Sequence, residues 1–181
     1  MLLAVAPGAR AEHVAVLLTS PFEPSKFAGE GAVGLLVPGR GPTVTRREAL
    51  DLLDVGRVLT GECMSTRPCP VEVFVEEPPI EERHNVERTS VAIVGGGYRG
   101  LLVSDNTRIP GLVAPADIAA TAEALDRGEE PPLRWRADDD APATLAELDR
   151  RLTEAHDARN WANAVLVLAI LGLAAVALAR R

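Results

Sequence analysis

The stretch AVGLLVPGRGPTVTRREALDLLDVG, residues 32–56, decides the fold class. Its first six residues are an apolar run stopped by Pro38 and Gly39, which reads as a buried strand. Thr45, Arg46, Arg47 and Glu48 then form a capping box. The Thr hydroxyl can accept from the Glu48 amide while the Glu48 carboxylate reaches back. Ala49, Leu50, Leu52 and Leu53 follow as the inward face of a helix, with Gly56 as its stop. A buried strand leading into a capped helix points to an α/β fold.

The flanking sequence extends that reading. HVAVLLT, residues 13–19, is a second apolar run, ended by Ser20 and Pro21, and the Pro-, Gly- and charge-rich residues 21–31 form a loop. In residues 70–75, Val71, Val73 and Val75 alternate with Glu72 and Phe74, as a strand requires. A polar segment, EEPPIEERHNVER, separates it from another apolar run at 91–94. Residues 101–103 and 111–113 are short strand candidates around a turn. Pro115 opens a helix that runs to Leu125. These elements predict a small mixed sheet flanked by helices. Residues 128–143, rich in Pro and acid, read as a linker. A second capping box, Thr144 and Glu147, starts a helix over 144–160 with Leu145, Leu148 and Leu152 on one side.

That helix turns polar and then meets WANAVLVLAILGLAAVALA, which begins at Trp161 and ends at Ala179. At 1.5 Å per residue, a helix of this length covers roughly the 30 Å of a bilayer's hydrocarbon core. It has no polar face, unlike a helix packed on a core. Residues 161–179 are therefore expected to span a membrane, with Trp161 at one interface and Arg180 and Arg181 at the other. Arg150, Arg151 and Arg159 lie on the near side, so basic residues alone do not orient the span. At the other end, MLLAVAPGARA offers a short apolar start and the small-x-small pattern Ala9-Arg10-Ala11. We read residues 1–11 as the remainder of a signal peptide and residues 12–127 as an extracytoplasmic domain on a single-pass anchor in the cell membrane. Cys63 and Cys69 enclose the loop MSTRP; a disulfide there suits an oxidising compartment, and two reduced thiols suit the spacing equally well.

Composition excludes some functions. The formal net charge is −7 and Lys26 is the sole lysine, so no basic surface for nucleic acid is expected. Aromatics make up 3% of the chain, too few for stacking platforms. VAIVGGGYRG, residues 91–100, satisfies G-x-G-x-x-G after a strand, but a dinucleotide site needs a helix to start at the third glycine. LLVSDNTRIPG follows instead, so the glycines read as a turn with at least one positive φ. Ser104 to Arg108 form a polar turn in which Arg108 either braces the backbone or contacts an anion. Asp117 suits the first turn of its helix electrostatically, with Thr121 one turn on. His13, His84 and His156 are far apart in the chain, and the acidic groups at 76–82 and 138–140 lack an EF-hand's pattern. No cofactor or metal site is expected.

Two segments carry a resemblance: GAVGLLVPGRGPTVTRREAL at residues 31–50 and GLLVSDNTRIPGLVAPADIA at residues 100–119. They resemble the extracytoplasmic domain of a group of high-GC bacterial integral membrane proteins, itself distantly similar to the alkaline phosphatase superfamily. Gly100, Ser104, Thr107, Arg108, Pro110, Gly111, Leu112, Asp117 and Thr121 fill the second segment's pattern. The resemblance implies an α/β sheet between helices, a signal peptide and a membrane segment after the domain. It does not extend to activity. Active members hold two metals with Asp and His clusters beside a Ser or Thr nucleophile, whereas this chain has Thr19-Ser20 where a metal-binding Asp stands. Thr43 and Thr45 lie near the nucleophile position, and Thr45 is better explained as a cap. The chain is also short for that superfamily, as if a central part were missing.

The sequence thus predicts a membrane-anchored, extracytoplasmic, non-catalytic α/β domain. Its expected partners are the bilayer and a membrane protein, and it binds or supports rather than reacts. The alternatives are a degenerate phosphohydrolase-like enzyme that still uses a metal, and a tail-anchored cytosolic interaction domain.

Overall fold

The computed structural model describes residues 14–37, 43–53, 70–78, 83–84 and 87–179. The strands are β1 (Val14–Thr19), β2 (Gly31–Leu36), β3 (Thr43–Val44), β4 (Val71–Glu76), β5 (Arg83–His84), β6 (Thr89–Gly95), β7 (Gly100–Ser104), β8 (Leu112–Val113) and β9 (Leu133–Arg136). The helices are α1 (Arg46–Leu53), α2 (Pro115–Arg127) and α3 (Ala141–Ala179), with one turn of 3-10 helix at Pro24–Lys26.

Seven strands form one mixed sheet in the order β1-β4-β6-β2-β7-β9, with β8 also paired to β2. β1, β4, β2, β7 and β8 run one way, and β6 and β9 run the other. The sheet therefore has one edge made mainly of strand C-termini and an opposite edge made mainly of N-termini. β3 and β5 form a separate two-stranded ribbon.

Alternation along each strand feeds two cores. Val71, Val73, Val75, Val91, Ile93 and Leu102 face Leu53 of α1 and Ile118, Ala122 and Leu125 of α2. Val33, Leu35, Ala92 and Leu101 point to the other side, where Ala141, Leu145, Leu148 and Leu152 of α3 and a Phe22–Phe27–Phe74 group cover them. The central strand β2 is buried at every position, as its unbroken apolar sequence requires.

Gly111 allows the chain to change position beside β2. Val33 pairs with Leu101 of β7, but Leu35 pairs with Leu112 of β8, so residues 105–111 leave the sheet and return to the same edge. Gly111 closes that excursion at φ +88°, with its amide bonded to the Leu102 carbonyl at 2.7 Å. A Cβ there would lie 2.6 Å from a Leu145 methyl.

Two expectations need correction. Residues 128–143 do not form a linker: β9 lies within them, paired to β7 through Leu101–Ser104. Leu133 is buried and Trp135 packs on the core while Arg134 and Arg136 point out, a period-2 pattern hidden between Pro131-Pro132 and the acidic run. The helix expected over 144–160 begins at Ala141 instead. The Thr144 hydroxyl donates to Asp138 at 3.1 Å and the Thr144 amide to the Asp140 carbonyl at 3.0 Å, so Thr144 lies inside the first turn and Glu147 is free to pair with Arg150 and Arg151.

α3 continues unbroken for 39 residues, far past the sheet. Among the described residues no helix is long and apolar enough to cross a membrane. The described residues thus give the α/β part of the expected fold and not the span. The signal-like residues 1–11 and the Cys63–Cys69 pair also lie outside them.

Candidate functional site

The C-terminal edge of the sheet is where an α/β fold of this direction offers a site, because strand ends and helix N-termini meet there. Here it gathers the end of β1, the end of β4 and the starts of α1 and α2. The Glu77 amide donates to the Thr19 carbonyl at 2.8 Å, and the Glu77 carboxylate pairs with Arg46 in the first turn of α1. The Glu76 carboxylate accepts from the Ser90 amide at 2.8 Å. Thr45 caps α1 as expected: its hydroxyl and its amide donate to Glu48 at 2.8 and 2.9 Å, and the Glu48 amide donates to the Thr45 hydroxyl at 3.3 Å. These bonds hold the Glu48 carboxyl below its usual range. The Thr19 hydroxyl donates to the Ser20 carbonyl at 3.1 Å. Thr19, Thr45, Arg46 and Glu77 are thus brought to one edge, and each of these four side chains is bonded to a neighbour in the chain. A cavity of about 20 Å³ beside them, lined by Leu36, Val44, Ala49, Leu53 and Pro115 among others, has room for about one water.

The strongest polar network lies in the excursion between β7 and β8. Asp117 is buried at the third position of α2, where a carboxylate is favoured by the helix dipole. Fully buried Ser104 donates to one Asp117 oxygen and Asn106 to the other. The Thr107 hydroxyl donates to the Leu112 carbonyl at 2.6 Å, and the Arg108 amide donates to the Ser104 carbonyl at 2.9 Å. Outside the loop, the Arg134 guanidinium donates to Asp105. Fully buried Thr121, one turn beyond Asp117, accepts from the Leu133 amide at 3.1 Å and so ties α2 to β9. Buried polar groups of this kind need partners, and these have them.

Of the two uses expected for the Arg108 side chain, bracing the turn or contacting an anion, the first is taken by its neighbours. Ser104, Asn106 and Thr107 do the bracing, while the Arg108 side chain is exposed. Its φ of +57° makes it the sole non-glycine residue with positive φ among those described. An L-residue held there costs about 1–2 kcal/mol, which the bonds around it must offset.

The glycine turn sits at the opposite edge. Gly95, Gly96 and Gly97 all have positive φ, and strand β7 rather than a helix follows Gly100. At Gly95 a Cβ would lie 1.9 Å from the Pro70 carbonyl oxygen, so close backbone approach explains that glycine. Beside the turn, a shallow cleft of about 330 Å³ is lined by Glu30, Tyr98, Arg99, Asp138 and Asp139 among others. Asp138 is already bonded to the Asp140 amide and the Thr144 hydroxyl. Among the described residues no group of three or more His, Cys, Asp or Glu could hold a metal ion.

Sequence reasoning missed Arg88. Its guanidinium, with 8% of the side chain exposed, donates to the Asp149 carboxylate at 2.6 Å, the Asp149 carbonyl at 3.0 Å and the Thr153 hydroxyl at 2.9 Å. It fastens α3 to the start of β6 across 61 residues of sequence, and no local pattern signals such a pair.

No family model, no curated protein and no solved structure matches the chain.

Proposed function

We propose that the chain is a membrane-anchored, extracytoplasmic, non-catalytic α/β module, a binding or structural domain carried on α3. The observation that supports this most is the contrast along that helix. Beyond the packed residues Ala141, Leu145, Leu148 and Leu152, large apolar side chains from Trp161 to Leu178 lie exposed, and Trp161 is 74% exposed. Exposed apolar surface on this scale marks a membrane or protein contact. Apolar residues on every face of the helix favour lipid over a single packed partner. From Leu152 to Trp161 the helix rises ~13 Å, a polar stalk that would hold the domain just clear of the bilayer.

The non-catalytic part of the reading rests on where the polar side chains are spent. Asp117, Ser104, Thr45, Glu48, Glu76 and Glu77 brace turns, caps and strand ends. The extracytoplasmic side and the kinship with the degenerate alkaline phosphatase-like domain rest on the sequence patterns alone. Protease added to intact spheroplasts should digest the domain; protection until lysis would place it in the cytosol and contradict this reading. Stoichiometric zinc in the purified full chain, with hydrolysis of a phosphate ester, would overturn the non-catalytic part.

A further inference from the structure

We infer that Arg108 and Ile109 form a contact for an anionic lipid surface, on the edge of the domain that faces the bilayer. The inference rests on the membrane reading and adds an orientation to it. α3 begins beside the N-terminal edge of the sheet: a Cβ on Gly100, the first residue of β7, would lie 2.6 Å from the Asp138 amide nitrogen. The helix then passes Gly111 through Leu145 and Leu148, and reaches the start of β6 where Arg88 binds Asp149 and Thr153. Thr89 pairs with Leu36 at the end of β2, so α3 leaves the domain at the C-terminal edge. The excursion of residues 105–111 starts from that same edge, with Gly111 against Leu145 and Leu148 of α3.

The chemistry of the tip fits a charged interface. Ile109, 39% exposed, is the one exposed large apolar side chain outside α3 among the described residues. Arg108 beside it is exposed, and its guanidinium has no bonded partner among the described residues. The neighbouring acidic groups are occupied: Asp105 by Arg134, Asp117 by Ser104 and Asn106, Glu77 by Arg46, and Asp149 by Arg88. The buried network holds the tip in its positive-φ shape, so little order is lost on contact. From Leu148, beside Gly111, to Trp161 the helix rises ~20 Å. The three residues from Gly111 to Arg108 recover at most ~10 Å of that. A headgroup layer of ~5–7 Å fills most of the remainder, and the Arg108 side chain crosses the rest. An Arg paired with lipid phosphate and an Ile at the headgroup boundary then act as a second, weak attachment point.

The test uses the full chain reconstituted in phosphatidylcholine bilayers, with or without phosphatidylglycerol, and reads amide hydrogen exchange over residues 105–111. Exchange should slow several-fold in the anionic bilayer and return to its faster rate at high salt. Arg108→Asn, which tolerates positive φ, should abolish the slowing, whereas Arg108→Lys should retain it. Equal exchange in both bilayers, with the chain resistant to alkaline extraction, would overturn the lipid contact and leave the anchor standing. Loss of the chain on alkaline extraction would overturn both. Slowing by polyglutamate or inorganic phosphate over phosphatidylcholine, with none from phosphatidylglycerol, would assign the tip to an acidic protein or a free anion instead.

Discussion

The two halves of α3 are continuous in backbone and opposite in surroundings. In the first half, apolar residues recur every three or four positions, at Ala141, Leu145, Leu148 and Leu152, and one stripe is buried on the sheet. In the second half the large apolar residues Val165 to Leu178 are exposed, on all sides of the helix. On the exposed side of the helix near their junction, Arg150 and Arg151 pair with Glu147, and Arg150 also pairs with Glu154, which supports the helix locally. The stripe is buried on the sheet, whereas the domain leaves the uniform apolar coat uncovered.

Substitutions should separate the halves. Leu145→Ala removes a side chain that is 1% exposed and should cost about 2–5 kcal/mol, read as a lower thermal midpoint. Leu168→Ala, at a site 67% exposed, should stay within about 0.5 kcal/mol of the parent by the same measure. Comparable losses at the two sites would mean that the second half packs on protein. Arg88→Ala should cost about 1–3 kcal/mol, because Asp149 and Thr153 lose a shared donor. A neutral result there would show that α3 is seated by its apolar stripe alone.

The smallest effect concerns the polar stretch. Hydrogen bonds from Arg150 and Arg151 hold the Glu147 carboxyl down to about 2, from an ordinary value of 4.5. A depressed carboxyl stabilises the folded chain above its unfolded value and loses that contribution as pH falls towards the folded one. The thermal midpoints of the parent and Glu147→Gln should therefore differ slightly at neutral pH and converge between pH 4.5 and about 2. A constant difference across that window would remove Glu147 from the account.

Local signals carried much of this structure. The Thr45–Glu48 box, the Pro115 start and the valine alternation of β4 each depend on residues close in sequence, and each is found. The sheet order is not local: β2 lies between β6 and β7, which no pattern within β2 states. β9 was hidden because four residues flanked by Pro131-Pro132 and acids give too short a period to read. The second capping box misled because Asp138 and Asp140 start the helix three residues earlier. In the candidate site, Ser104–Arg108 is legible as a turn and Asp117 as a first-turn carboxylate. That the two meet is a fact of tertiary structure, as is the Arg88–Asp149 pair.

Alkaline carbonate extraction of membranes from cells making the full chain tests the central claim most directly, with a Leu168→Arg/Leu171→Arg double variant alongside. If the second half of α3 lies in the bilayer, the parent chain stays in the pellet and the double variant moves to the supernatant, since each arginine at mid-span costs about 2.5–3.5 kcal/mol. Release of the parent chain by carbonate, with the double variant behaving identically, would contradict the account.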